Sequence, residues 1–414
     1  MKLTLLLPDG FGVRDFLLGS FARAAVERGG LSVFHRIPDH QLPRIAGHCP
    51  PAVEWHRLAG AQRGPLETAL MRSSSAPAGV ALLQRWRAHA IARDPGVARY
   101  RYLLQKLRPQ VLLCSHQSSL EAAAPVAAAR ELGIPTATFI AGWDSLGSGN
   151  PIAAPFDHFL VWSEAMAMEL PSLHPKILRH QVHAVGAPHF DSYAEPNLLW
   201  SREEFCRRIG ADARRPLICY SGGDPETSPE DAGHVRLLLE LIRQGRLAGR
   251  PQLLLRPAPA DDGRRYHAVR YEFPELRYAA PHWLPTGNSG GRPIAPWPEE
   301  VPFLANLTHH CDLAVSAGSA MTLDFVMHDK PVVQVAFSGA AAPRTGELGA
   351  VRVVRSEAEL AAQVNAYLAD RTLDREGRRR LLGSRLRLPL GRAGVRALET
   401  LQRIAAEPRL RRPA

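Results

Sequence analysis

The chain has 414 residues, 45% of them hydrophobic and 22% charged, which excludes bulk disorder and leaves room for two domains that each bury a core. Its five cysteines, at 49, 114, 206, 219 and 311, show no CxxC and no zinc-like spacing, so the expectation is reduced thiols in a cytoplasmic protein with no metal site. The net charge of +11 is almost all arginine, because lysine occurs only at 2, 106, 176 and 330; no aromatic residues interleave with the arginines near the end, which argues against a nucleic-acid partner.

The opening MKLTLLLPDGFGVRD carries an apolar run too short for a signal peptide or membrane span, and reads as a first buried strand over 3–7. A helix over 15–28 and a strand over 31–35 follow. A long alanine- and arginine-rich helical region is expected over 65–107. Then come a strand at 111–114, a helix at 120–132, and strands at 136–140 and 158–161. The segment 195–216 is polar, helical in its middle, and reads as a hinge. The second half restarts with LICYSGG at 217–223, a helix over 231–244 and a strand at 252–256. The last stretch, 393–407, places Val395, Leu398, Leu401 and Ile404 on one helical stripe. Alternating strands and helices predict an α/β protein with two doubly wound, Rossmann-like domains facing a cleft. The expected domains are 1–195, 196–390, and a C-terminal helix and basic tail at 391–414 that crosses back to the first.

The run DLAVSAGSAMTLDFVMHDKPVVQV, from Asp312 to Val335, is the most informative. It reads as a short strand over 313–315, a small-residue turn over 316–320, a helix over 321–328 and another strand from Pro331. Such an order puts Ser316, Gly318, Ser319 and Thr322 where a helix end presents free N–H groups to a diphosphate. Asp324 follows where a carboxylate could accept hydrogen bonds from ribose hydroxyls. The plainer alternative is an ordinary capped helix. Ligands of open α/β sheets sit at the carboxyl ends of strands, so Ser221 and Gly222, after LICY, and Arg256, after QLLL, join the candidate nucleotide pocket. Taken alone, Arg256 is as well explained as a salt-bridge partner.

The ordered motifs IAGWDSLGSG, VWSEAMAMEL, VGAPHFDSY, LLLRPAP, ANLTHHCDLAVSAGSAMTLDFVMHDKPVV and QVAFSG resemble the GT-B-fold glycosyltransferases of bacterial surface-polysaccharide synthesis, and in particular relatives of the CDP-glycerol glycerophosphotransferases. The resemblance runs from about Val111 to Gly339. It implies a nucleotide-sugar donor on the C-terminal domain, held through Ser319, Thr322 and Asp324, and a glycan or lipid-linked glycan acceptor on the N-terminal one. No cofactor is implied beyond the activated donor, which is a substrate. Relatives carry Arg-Pro-His-Pro where this chain has Arg256, Pro257, Ala258 and Pro259. The missing histidine argues against glycerol-phosphate transfer more than against sugar transfer. No DxD triplet occurs, which points away from the metal-dependent GT-A scheme.

Inverting transfer needs a base for the acceptor hydroxyl. Asp144, in AGWDSLGS, leads the candidates, followed by His116, in CSHQSS, and Asp9 after the first strand. Each has a structural alternative, an Asx turn for Asp144 and a hydrogen-bonded loop anchor for His116. Trp143 is a candidate sugar-stacking ring, with a core position as the alternative. Gly186 to Pro188 read as a turn, with His189 or Asp191 as candidates to line the crevice. The Gly- and Pro-rich stretch 283–297 is a candidate lid. Arginines dense from Arg371 to Arg412 read as a solvated helix face, the alternative being peripheral contact with an anionic inner membrane. Three other functions are kept as alternatives: a nucleotide-sugar epimerase of similar fold, a glycerophosphotransferase-like enzyme, and a non-catalytic nucleotide-sugar-binding scaffold.

Overall fold

The computed structural model describes residues 1–60, 94–143, 152–283, 295–337, 349–386 and 389–407. The chain divides into two compact units, Met1–His189 with Arg392–Ala414, and Phe190–Gly391.

In the first unit, β1 (Lys2–Leu7), β2 (Gly30–His35), β3 (Val53–Arg57), β4 (Val111–Cys114), β5 (Thr136–Phe139), β6 (His158–Val161) and β7 (Val182–Ala184) form one sheet in the order β3-β2-β1-β4-β5-β6-β7. All its pairings are parallel. The central strands are buried on both faces, with Leu5, Leu6, Val33, Leu113 and Ala137 inaccessible to solvent, which is why they read as predominantly apolar runs. Edge strand β3, VEWHR, is half exposed, and its polar residues hid it in the sequence. β7, only three residues long, escaped notice too.

The helix expected over 15–28 is broken. A short turn at Gly10–Gly12 leads into a π-helical turn at Val13–Leu17, and a regular helix runs only over Ser20–Glu27. Gly12 explains part of this packing, since a Cβ there would stand 2.1 Å from Ser115 Oγ. The helix Ala393–Ala406 buries Ala397, Leu398, Leu401 and Ile404 and packs on Ser20–Glu27. Gly394 allows the approach, because a Cβ would meet Phe21 N at 2.8 Å. Of the long helical region, only Gly96–Leu107 falls among the described residues as a helix.

In the second unit, β8 (Leu217–Ser221), β9 (Gln252–Arg256), β10 (Arg277–Tyr278), β11 (Leu313–Ser316), β12 (Val332–Val335) and β13 (Arg352–Val354) form a parallel sheet in the order β10-β9-β8-β11-β12-β13. Its core joins Ile218, Tyr220, Leu238, Leu253, Leu255, Val315, Val333 and Val364. The helix Arg202–Ile209 shows how local chemistry sets limits. Ser201 Oγ accepts from Glu204 N at 3.2 Å to start it, and Gly210 adopts φ 68° to stop it.

The arginine-rich helix, Arg375–Arg385, departs from a plain solvated face. Arg378 is 1% exposed; its Nε donates to Asp329 at 2.8 Å, and its other nitrogens donate to the carbonyls of Leu373 and Arg371. Arg375 also holds Asp329, at 2.6 Å, and Arg371 holds Asp312, at 2.5 Å. Much of this charge is therefore spent internally. Arg387, Arg409, Arg411 and Arg412 lie outside the described residues. No helix among the described residues is long and apolar enough to cross a membrane.

Candidate functional site

Each sheet has one point where the chain reverses its direction of growth, and there the loops leaving neighbouring strands splay apart to leave room for a ligand. In the second unit that point lies between β8 and β11, which pair with Tyr220 opposite Val315. Ser221 ends β8, and Ser319 lies three residues beyond the end of β11. Their hydroxyls meet at 2.7 Å. The two loops named from sequence thus come together.

The turn after β11 leads into a short helix, Thr322–Met327. Ser316 Oγ accepts from the amides of Gly318 and Ser319, both at 3.4 Å, and Ser319 Oγ accepts from Met321 N at 3.2 Å. The two longer bonds are weak by ordinary geometry, so an anion can replace them at small cost. Gly318 is exposed and has φ 122°, a conformation open to glycine and strained for other residues. Thr322 is mostly turned inward, its hydroxyl donating to Ser319 O at 2.9 Å. Asp324 is 6% exposed, and its Oδ1 accepts from the hydroxyl of Tyr193 at 2.6 Å.

The loop after β8 is held differently. Gly222 N donates to Arg256 O at 2.8 Å, and Gly223 N donates to Asp231 Oδ2 at 2.8 Å. A Cβ on Gly222 would meet Tyr266 Oη at 2.8 Å, so close packing within the protein demands the glycine there. Asp231 is fully buried beneath this loop. It also accepts from Tyr220 Oη at 2.7 Å and from Arg265 at 3.1 Å. Burial, with the Asp231 carboxylate beside it, pushes the Tyr220 phenol well above its ordinary range.

Arg256 is 2% exposed. Its guanidinium is bound by the carboxylate of Glu300, itself 1% exposed, and donates to the carbonyl of Ala280 at 2.8 Å. Glu300 also accepts from His282 N at 2.9 Å and Trp283 Nε1 at 3.1 Å. Burial works against the charged form of Glu300, but Arg256 and the His282 contacts outweigh it and hold the carboxyl below its usual range.

In the first unit the reversal lies between β1 and β4, paired with Leu6 opposite Cys114. Asp9 follows β1, and His116 follows β4. His116 Nδ1 lies 3.6 Å from Asp9 Oδ2, while Asp9 Oδ1 accepts from Gly12 N at 3.0 Å and caps the first turn. A second pair sits nearby in sequence, His189 Nδ1 at 3.7 Å from Asp15 Oδ1. Asp144 lies outside the described residues, as do residues 284–294 of the candidate lid.

No protein-family model matches this chain, and no curated protein matches it in sequence. Solved structures do match in shape. UDP-GlcNAc 2-epimerase from Methanocaldococcus jannaschii superposes with TM-score 0.61 at 13% identity, covering 97% of this chain and 100% of that one. UDP-GlcNAc 2-epimerase from Neisseria meningitidis bound to UDP-GlcNAc gives 0.59 at 11%, covering 97% and 100%. A glycosyltransferase from Rickettsia africae gives 0.58 at 11%, covering 98% and 99%. The chain therefore has a GT-B-like fold.

Tyr193, Glu300 and Asp231 are among the network residues not singled out from sequence. Tyr193 sits 131 positions before Asp324 and Glu300 sits 44 after Arg256, so no local spacing links either pair. Asp231 carried a hint, as an acid at the start of a helix after a glycine loop.

Proposed function

We propose that the protein is a metal-independent glycosyltransferase that moves a sugar from a nucleotide-activated donor to a bacterial surface glycan. The observation that carries this reading is the meeting of Ser221 and Ser319 at the reversal point of the second sheet, with Asp324 on the segment that follows. The amides of Gly318 and Ser319 take the donor diphosphate, the hydroxyls of Ser319 and Ser221 support it, and Asp324 takes the ribose. Gly222 and Arg256 shape the loop beside it. Gly222 accepts no side chain, and Arg256, neutralised by Glu300, braces the end of β9. Ser316 presets the turn and Thr322 anchors it.

A base must take the acceptor hydroxyl proton. His116 is the leading candidate among the described residues, since its Nδ1 has Asp9 Oδ2 at 3.6 Å and Ser118 Oγ at 3.4 Å beside it. It removes the acceptor hydroxyl proton as the sugar leaves the nucleotide, and the diphosphate departs into hydrogen bonds already in place. Asp144 remains the alternative base. The narrower likeness to the CDP-glycerol glycerophosphotransferases rests on sequence motifs alone. The place of action is cytoplasmic, at the inner face of the membrane where a lipid-linked glycan would be presented.

A nucleotide-sugar epimerase is the second reading, supported by the epimerases among the similar structures. Incubation with a panel of nucleotide sugars, with and without acceptor glycans, separates the cases. Acceptor-dependent release of nucleoside diphosphate supports the transferase. An isomerised sugar nucleotide means an epimerase, and tight binding without turnover means a scaffold.

A further inference from the structure

The donor-binding reading leaves Tyr193 without a role, although its hydroxyl lies on the carboxylate assigned to the ribose. That hydrogen bond, 2.6 Å from Tyr193 Oη to Asp324 Oδ1, is buried and has the length of a charge-assisted contact. The ring that carries the hydroxyl is clamped. It stacks on His328 at 5.3 Å between centroids, with the planes 14° apart, and meets Phe190 edge-on at 5.4 Å. His328 lies four residues after Asp324, so the ring and the carboxylate rest on one short segment. Tyr193 itself belongs to the turn Pro188–Ala194, far away in sequence, and it has few ways to move without losing both ring contacts.

We infer that Tyr193 is a positioning residue that presents the Asp324 carboxylate to the ribose hydroxyls of the donor, and so sets preference for a ribonucleotide. The inference rests on the donor-binding reading above. A carboxylate serves a ribose hydroxyl well only if its plane is held, because its lone pairs must face that hydroxyl. An aspartate side chain on a helix has two torsions to fix. One strong bond from a clamped phenol to Oδ1 removes rotation about the last of them, leaving the carboxylate preset when the ligand arrives.

The test measures binding of UDP, CDP and GDP and of their 2′-deoxy counterparts to the full chain by calorimetry, for wild type, Tyr193→Phe and Asp324→Asn. Phenylalanine keeps the stacking on His328 and removes only the hydroxyl. Wild type is expected to prefer a ribonucleoside diphosphate. Tyr193→Phe should lose roughly tenfold of that preference while its affinity for the deoxy form holds, and Asp324→Asn should erase the preference. A merely structural role would weaken both ligands alike. Preference retained in Tyr193→Phe, but lost in Asp324→Asn, overturns the inference and leaves the donor reading standing. Failure of wild type to bind any of the diphosphates, or to distinguish ribose from deoxyribose, overturns both.

Discussion

The guanidinium of Arg256 is buried against the carboxylate of Glu300, and neither residue is more than 2% exposed. A charge placed at the end of β9 is thus consumed by a partner from the helix Glu300–His310. Removing one member strands the other in a medium of low polarity, at a cost of about 3–5 kcal/mol. Glu300→Gln and Arg256→Met should each lower the urea midpoint strongly. The pair Arg256→Met with Glu300→Gln should recover much of that loss, since no lone charge remains and the glutamine oxygen can still accept from His282 N or Trp283 Nε1. Equal loss in single and double variants would contradict this account.

Asp231 organises the loop after β8 from below, accepting from Tyr220, Gly223 and Arg265. Asp231→Asn puts an amide donor among donors and removes the charge that Arg265 faces. We expect about 2–3 kcal/mol of lost stability and faster hydrogen exchange at the Gly223 amide. Protection of that amide unchanged in the variant would show that the loop is held by other means.

At Gly318 the backbone has φ 122°. Gly318→Ala should cost about 1–3 kcal/mol in thermal unfolding, and it should weaken nucleoside diphosphate binding, because relief of the strain moves the two amides proposed to hold phosphate. An alanine variant with full affinity would move the diphosphate elsewhere.

His116→Ala should reduce turnover on the sugar donor identified by the panel about 10²- to 10⁴-fold and leave donor affinity within twofold. Asp9→Asn should fall between that variant and wild type, since Asp9 acts through the ring. Steady-state rates alongside equilibrium binding check both, and wild-type turnover in His116→Ala would pass the role to Asp144.

Acid should destabilise the fold above the range in which carboxylates protonate. Burial, helped by Arg57, lowers the pKa of His35 to about 4, and burial with His158 nearby lowers that of His183 to about 4. An unfolded histidine titrates near 6.5. Above that pH both states are neutral and stability is complete. As pH falls from about 6.5 to about 4, the unfolded chain binds protons that the folded chain refuses, so stability declines. For His35, which is 1% exposed, the loss should be on the order of 1–2 kcal/mol. His35→Gln should flatten this part of a denaturation series measured at successive pH values.

The central strands were legible because both faces of each are covered. Leu5 to Leu7, Val111 to Cys114 and Leu253 to Leu255 are apolar without interruption, and no other element type fits so short a run so well. Edge strands β3, β10 and β13 carry exposed or half-exposed residues, so their pattern merges with that of loops. The turn from Ser316 to Thr322 was equally legible, since small residues between a strand and a helix state their own geometry.

What sequence by itself determined is therefore local: the class of fold, the order of strands and helices, and the loops worth inspecting. Which side chains those loops would find was decided by tertiary structure alone. Arg256 meets Glu300, Asp324 meets Tyr193, and Asp9 meets His116 across 44, 131 and 107 positions respectively. The reason is physical. Strand order brings distant residues to neighbouring strand ends, and a buried charge or hydroxyl takes whichever partner that order delivers, a choice no spacing along the chain encodes.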